Sequence, residues 1–561
     1  MTYLKRMMKK YWLAIWIASL CSSCALNGAL KEKAKFEQQA IPKLSLADST
    51  ENYRRIDSSF LLHNAQGLWE LYLSGSPMEL GLKTGILTQS LYAYQERAFF
   101  SKIQEFIPSQ RKQKWMMKLT KVYNRKIHKY IPLAYREEIF GLSRYASPRY
   151  DSLMDPYQRN LFLHGAHDLG HAFQDLALVG CSSLAAWGSK SADGELIIGR
   201  NFDFYAGDDF SRNKLITMVK PDSGYSFLSV GWAGMIGVVS GMNSAGLTVT
   251  LNAGKSSIPW SAKTPISIVA REILQYARNF EEAIAIAKKH PIFISESLMI
   301  GSSDEGRAIL IEMSPHKFAV FESDNANYLL CTNHFQSSTY QSDKRNQKQI
   351  EESHSIYRHQ LLTEQLQQQD KLTALKVAAI LRDRNGLKNK EIGYGNEKAL
   401  NQLLAHHGII FQPQKRLVWV SANPYQLGEF VCYDLNKIFD NKALRPASSL
   451  ANTALNIPQD TFLTSKAYRD YEEYRKQDRV IDHKLKSDQE ITESEWQAYQ
   501  ELNPLFWAVY YKRGKYYFEQ KRYEEALKQL QQADSCEVTT LVDRKNIASY
   551  IHKIEKKGDN R

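Results

Sequence analysis

The sequence is poor in cysteine: six residues in 561, of which Cys21 and Cys24 fall in a leader described below. The other four, Cys181, Cys331, Cys432 and Cys536, are widely scattered, with no CxxC pair among them. A disulfide framework and the common zinc patterns are thereby excluded. Neither sign of charge dominates strongly. Lys and Arg number 73 against 60 Asp and Glu, net +13, and are spread along the chain. With no zinc-finger spacing, RNP-type aromatic motif or concentrated basic arm, nucleic acid is not an expected partner. What is present is apolar: 43% hydrophobic and 11% aromatic content excludes wholesale disorder and suffices for one large core with appended pieces.

Lys5, Arg6, Lys9 and Lys10 precede the apolar run Tyr11 to Leu20, which is too short to span a bilayer. That pattern is a signal peptide. Its end, Leu20-Cys21-Ser22-Ser23-Cys24-Ala25, resembles the lipobox of bacterial lipoproteins, in which small residues precede a cysteine that is diacylated and becomes the new N-terminus. The resemblance implies that residues 1–24 are removed up to a lipidated Cys24, placing an exported protein on the periplasmic or cell-surface side of a membrane. A plain secretory signal is the alternative. Residues 25–64 read as a tether.

From Pro77 to Ala177 apolar residues fall at helical spacing, behind an alternating strand near Trp69. At Gly180 the texture changes. Cys181 to Gly188 and Leu196 to Asn201 form a hairpin about the turn Asp193-Gly194. Further strands are expected at Tyr225–Trp232, Ile236–Ser240, Leu247–Asn252, Ser297–Gly301, Ala308–Met313, Phe318–Phe321, Tyr328–Thr332, Leu417–Ser421 and Glu429–Tyr433, with helices at Ile266–Lys289 and Gln347–Arg382. Strand runs separated by helical pairs imply an α+β fold with antiparallel sheets covered by helices.

A thiol attacks only as thiolate, so Cys181 needs a base. Cleavage between Gly180 and Cys181 would create an α-amine titrating near about 7.7 to 8.0, within reach of its own side chain, so that nucleophile and base come from one residue. Glycine at position 180 tolerates the geometry that such a cleavage demands. A lone cysteine opening a strand is also a common core residue; composition alone leaves both readings open.

The segment Gly180-Cys181-Ser182-Ser183-Leu184-Ala185-Ala186, followed by Asp193-Gly194 and Ile198-Gly199-Arg200-Asn201-Phe202-Asp203-Phe204, resembles the self-processing site of the acyl-coenzyme A:6-aminopenicillanic acid acyltransferase family, which is related to choloylglycine hydrolases. Ser74-Gly75-Ser76-Pro77 through Gly81 and Gly85, then Thr332-Asn333-His334-Phe335 and Val418-Trp419-Val420, are similar to other blocks of that family. The resemblance implies a four-layer αββα N-terminal-nucleophile hydrolase core at residues 181–440, preceded by a helical pro-segment at 65–180. It implies autoproteolysis between Gly180 and Cys181, then acyl transfer through a Cys181 thioester. Arg200 would lower the thiol pKa, Asp203 would orient the amine, and Asn252 and Asn333 would polarise the carbonyl. For Arg200 and Asp203 to converge, the strand must end or bulge near Asn201. The expected partner is an acyl-bearing small molecule or lipid, with no cofactor and no metal.

His164, His167, Asp168 and His171 lie along one helical stripe just before Gly180. The stripe superficially echoes the H-E-x-x-H zinc motif without its Glu; a helix packed near the junction, with Asp168 orienting an imidazole, is the reading preferred to a metal site. At residues 461–561 a charged helical extension carries Tyr510, Gly514, Tyr517, Ala526, Leu530 and Ala533 at spacings that resemble a single tetratricopeptide repeat. A docked helical hairpin explains the same residues. Two other functions fit parts of the sequence: a non-catalytic surface lipoprotein recruiting a protein partner through this tail, or an uncleaved cysteine hydrolase with a histidine base.

Overall fold

A computed structural model describes residues 28–173, 180–257, 261–324, 327–404, 406–440 and 447–558, with the side chains of 106, 110 and 166–173 outside that description. Cys24, and the side chains of His167, Asp168 and His171, therefore lie outside the described residues.

Two sheets form the centre. The larger has eleven strands, in the order Asp48–Ser49, Tyr53–Ile56, Ser59–His63, Trp69–Gly75, Leu215–Pro221, Phe227–Gly231, Ser240–Asn243, Leu247–Ala253, Glu296–Ser302, Arg307–Met313 and Phe318–Phe321. The smaller has six: Tyr328–Cys331, Ser182–Ala186, Ile197–Phe202, His407–Gln412, Leu417–Ser421 and Phe430–Asp434. Alternation along each strand gives each sheet two apolar faces. Met218, Leu228, Met299 and Leu310 of the larger sheet meet Ile198, Ile409, Val418 and Val420 of the smaller in one buried cluster. The outer face of the larger sheet, with Leu71, Val219, Val249 and Ile300, packs on helices that include Ile139, Leu161 and Ile273. Leu184, Ile197 and Ile410 on the other outer face are covered by Leu361, Leu362, Val377 and Leu381. The layers run helix, sheet, sheet, helix, as the sequence pattern and the resemblance imply.

Several elements depart from expectation. The stretch read as a tether holds the helix Gly28–Glu37 and the hairpin Tyr53–Ile56 with Ser59–His63; Arg54 and Arg55 on a strand near the sheet edge disguise it as irregular chain. The strands Leu215–Pro221 and His407–Gln412 were not expected. The helix Ile266–Lys289 is two helices, because Asn279 caps a second one by accepting from the Glu282 N–H at 3.0 Å. The strand expected at Ile236–Ser240 instead begins at Ser240. The Ile236 N–H is satisfied by His164 Nε2 at 2.9 Å, its carbonyl by Arg271 at 3.0 Å, and the Val238 N–H by the Ser267 carbonyl at 2.9 Å. Those bonds leave no ladder for residues 236–238 to join.

The strand Trp69–Gly75, upstream of Gly180, runs parallel to Leu215–Pro221 over the full register Trp69↔Leu215 to Gly75↔Pro221. The segment before Gly180, expected to be a pro-segment, is therefore part of the sheet. The C-terminal helices pack on one another and on Leu403 and Leu427. Gly514 faces Leu530, which a Cβ there would meet at 2.8 Å, and Asn503 brackets Tyr394 by accepting from its N–H at 3.1 Å and donating to its carbonyl at 2.8 Å. Docked helices account for the spacing of small residues in the tail.

Candidate active site

Cys181 immediately precedes the strand Ser182–Ala186, whose register with Ile197–Phe202 pairs Ser182 with Asn201 and Ser183 with Arg200. Ala185 and Ile198 face the other sheet, so by alternation Cys181, Ser183 and Arg200 do as well. The strand ends at Phe202. Asp203 is thus released from the pleat beside Gly180, whose N–H donates to the Asp203 carbonyl at 3.1 Å, and the ending expected near Asn201 is present.

Arg200 spans the gap between the sheets. Its guanidinium donates to the Val239 carbonyl at 2.8 Å, the Ser240 hydroxyl at 2.5 Å and the Leu251 carbonyl, and lies 3.8 Å from Cys181 Sγ. The Phe202 ring lies 4.5 Å from its Cζ. Ser240 in turn contacts His407 Nε2 at 2.9 Å, and His407 meets His406, Nδ1 to Nδ1, at 2.9 Å. Burial holds both imidazoles well below their ordinary pKa, so they are neutral partners of the arginine.

Cys181 is 1% exposed. Burial pushes its thiol up to about 11, opposed by Arg200 and reinforced by the charges of Asp203 and Glu296. With Cys181 inside the continuous chain, the thiol is protonated at neutral pH. The Asp203 carboxyl is likewise raised, to about 7, by burial, against the pull of Arg358, Gln426 and Arg200. One of its oxygens accepts from Gln426 at 3.2 Å and the other has no hydrogen-bond partner. A carboxyl with a free, buried oxygen next to Gly180 is suited to receive an ammonium formed at residue 181.

Three residues that the sequence did not suggest complete the surroundings. Arg358, from the helix Ser355–Gln368, donates to the Cys181 carbonyl at 2.5 Å, to Ser182 Oγ at 2.8 Å and to Asn333 Oδ1 at 2.7 Å. Its burial lowers its pKa to about 10, which leaves it cationic. Gln402 donates from Nε2 to the Gly180 carbonyl at 2.9 Å. Gln426 holds Asp203. None of the three lies in a local motif; only the closed fold brings them to the hairpin.

The two asparagines are placed differently from each other. Asn252 accepts from Ser183 at 2.8 Å and spends its amide hydrogens on the Cys331 and Thr332 carbonyls, at 3.2 and 3.4 Å. It ties the two sheets together behind Cys181. Asn333 donates to the Ala253 carbonyl at 3.0 Å while its oxygen accepts from Arg358, linking it to the cation that touches Cys181. His164 is a core histidine: Nδ1 contacts the Asn160 carbonyl at 2.8 Å, Nε2 accepts from Ile236, and burial lowers its pKa to about 4. Both nitrogens are occupied, so it is not a metal ligand. Among the described residues no cluster of histidine, cysteine or carboxylate is arranged to hold a metal.

Rings lead away from Arg200. Phe202 stacks on Phe204 at 5.8 Å, and Phe204 contacts Phe210 at 5.6 Å and Trp232 at 6.4 Å. The last three line a cavity, largely apolar, with Tyr92, Phe99 and Met235, two of them on the helix Pro77–Phe106.

Residues 189–424 match the model of a family described as acyl-coenzyme A:6-aminopenicillanic acid acyl-transferase. An uncharacterized protein of Archaeoglobus fulgidus is 26% identical over 275 residues, 45% of each chain. Protein dcd1B of Dictyostelium discoideum is 24% identical over 198 residues, 35% of this chain and 37% of that one. The chain spans less than half the length of these curated relatives. Among solved structures, a Caenorhabditis elegans ortholog of N-acylethanolamine-hydrolyzing acid amidase is 16% identical with a TM-score of 0.31, covering 42% of this chain and 93% of that one. A variant of conjugated bile acid hydrolase from Clostridium perfringens is 14% identical with a TM-score of 0.30, covering 50% and 98%. Residues 189–424 are thus similar to the acyl-coenzyme A:6-aminopenicillanic acid acyl-transferase family.

Proposed function

We propose that the protein is a self-processing N-terminal-nucleophile enzyme that removes an acyl group from an amide, ester or thioester and passes it to water or an amine. The observation that carries this reading is that the Gly180–Cys181 peptide is held at both ends. Gln402 polarises its carbonyl, and the Cys181 thiol lies against Arg200. In the first step Cys181 Sγ attacks the Gly180 carbon, the oxyanion stays on Gln402, and the C–N bond breaks as the thiol proton passes to the departing Cys181 nitrogen, giving the α-amine and a thioester. Water hydrolyses it, leaving a Gly180 carboxylate, a free thiol and an α-amine.

The chemistry at Cys181 then changes. The new amine, facing Asp203, takes the thiol proton, and the thiolate, favoured by Arg200, attacks an acyl carbonyl. Arg358 and Asn333 flank that attack. The amine returns the proton to the leaving group, and water or an acceptor amine releases the acyl group from sulfur. The aromatic cavity beyond Phe204 suits an apolar acyl chain. The leader resembling a lipobox supports an anchor at Cys24, which would bring this activity to a membrane.

Intact mass with N-terminal sequencing tests the reading. Wild-type protein yields two fragments, the second beginning at Cys181, while Cys181→Ala yields one. A wild type that stays a single chain, with an internal Cys181 whose thiol resists iodoacetamide, sinks it.

A further inference from the structure

The helix Gln110–Tyr123 carries a feature that acyl transfer does not use. Trp115, Leu119 and Val122 are 64%, 49% and 38% exposed. They stand at positions i, i+4 and i+7, a single stripe, while Met117 on the opposite side packs into the core. Arg111, Lys114 and Lys118 flank the stripe on one side and Lys112 on the other, as the helical angle of 100° per residue dictates.

The surrounding chain departs from the even mixing of charges elsewhere. Between Ile107 and Tyr135 stand eight Lys or Arg and no Asp or Glu. Among the described residues none of these cations forms an ion pair with a carboxylate. A tryptophan and two aliphatic side chains held in water, ringed by uncompensated cations, match the interface between water and an anionic bilayer. There the apolar stripe enters the headgroup region and the cations meet lipid phosphates. No helix among the described residues is long and apolar enough to cross a membrane; the fit is to the surface.

The entry of the chain points the same way. Gly28 lies against His128, where a Cβ would meet the imidazole at 2.8 Å. Ala29 shares a small cavity with Lys121, Arg125 and His128. Gly28 follows Cys24 by four positions, a reach of about 14 Å at most, so a lipid on Cys24 would bring the bilayer to the side of the molecule that carries the basic helix.

We infer that the helix Gln110–Tyr123 is an interfacial docking element for anionic lipid bilayers, with Trp115, Leu119 and Val122 as its inserted face. The inference needs no chemistry at Cys181 and no lipid on Cys24. It is tested on the full chain carrying Cys21→Ala and Cys24→Ala, so that no anchor contributes. Co-sedimentation compares vesicles of phosphatidylcholine alone with vesicles containing phosphatidylglycerol. Binding to the anionic vesicles is expected, released by salt. It should fall by roughly fivefold per cation removed in Lys114→Glu and Lys118→Glu, and by a similar factor in Trp115→Ala. The exposed positions leave folding intact, and unchanged circular dichroism and melting temperature check this. No binding, equal binding to both vesicles, or anionic binding indifferent to both Trp115→Ala and Leu119→Ala would overturn it. So would tighter binding to single-stranded DNA than to the anionic vesicles, which would make the surface a general polyanion site.

Discussion

Gln402 Nε2 donates to the carbonyl oxygen of Gly180 at 2.9 Å, on the peptide that the proposed self-processing would break. The amide is buried, so water does not compete for the carbonyl, and a Cβ on residue 180 would lie 2.1 Å from Nε2. Glycine at this position gives the donor its access. If the bond stabilises the oxyanion, Gln402→Ala should slow cleavage by about 100- to 1000-fold, the usual effect of losing one oxyanion donor. Accumulation of the uncut chain on a denaturing gel measures this. Gly180→Ala should do the same by displacing the donor. Once cleaved, either variant should turn over substrate at the wild-type rate, because Gln402 touches only the leaving carbonyl. A cleavage rate unchanged in Gln402→Ala would remove the residue from the mechanism.

Self-cleavage should not release the pro-segment. Its strand Trp69–Gly75 is hydrogen-bonded to Leu215–Pro221, and Leu71, Leu73, Leu80 and Leu87 are buried in the main core. At about 25 cal/mol per Å² of apolar surface, exposing four leucines alone would cost on the order of 6 to 12 kcal/mol. The two fragments should co-elute in size-exclusion chromatography and separate only in denaturant. Elution of the fragment beginning at Cys181 by itself, still folded, would contradict the packing.

The parts of the site legible in the sequence are those close together along the chain. Gly180, Cys181, Arg200 and Asp203 belong to one hairpin, so their residue types and order suffice. Arg358, Gln402 and Gln426 come from a helix and two loops far along the chain, and nothing in their neighbourhoods separates them from surface polar residues until the fold buries them. Asn252 shows the converse: its position at a strand end is correct, but its amide is consumed by the Cys331 and Thr332 carbonyls. The missed strands have the same kind of cause. Tyr53–Ile56 lies next to the two-residue edge strand, where Arg54 and Arg55 are tolerated, and His407–Gln412 opens with a histidine whose partner is Ser240, on the other sheet. Charge counted over the whole chain likewise conceals the basic run around Trp115.

The buried Asp203 makes the uncut chain sensitive to pH in a direction that can be worked out. Its pKa is about 7 when folded against an ordinary aspartate value of 3.8, so the folded state binds the extra proton between these values. Stability from this group is fully present below about pH 4 and is lost as pH rises through about 7. The shift corresponds to roughly 4 kcal/mol. Cys181→Ala, which cannot cleave, should therefore have a lower melting temperature at pH 8 than at pH 5. The double variant Cys181→Ala with Asp203→Asn should lose part of that difference, the remainder coming from Glu397, whose carboxyl burial also raises to about 7. In the cleaved wild type the new ammonium pairs with the carboxylate and the slope should also shrink. An equal slope in the asparagine variant would place its origin elsewhere.

The C-terminal helices bear on the same carbonyl through Tyr471. Its hydroxyl donates to the Leu403 carbonyl at 3.3 Å, and Leu403 sits in the left-handed region at φ 52 directly after Gln402. A non-glycine residue holds that conformation only when its surroundings impose it. Here the Leu403 N–H is satisfied by Asn401 Oδ1 at 3.0 Å, its side chain packs in the cluster of the C-terminal helices, and its carbonyl meets Tyr471. Tyr471 is thus a positioning residue, acting on Gly180 only through Gln402. Tyr471→Phe keeps the ring and removes the hydroxyl, a loss of about 1 kcal/mol. Cleavage should slow by roughly fivefold in this variant, with the melting temperature of the cleaved enzyme and its turnover little changed. Combined with Gln402→Ala, it should add nothing further to the cleavage defect, since both act on one hydrogen bond. Additive effects in the double variant would show that Tyr471 stabilises the fold generally and does not aim Gln402 at the Gly180 carbonyl.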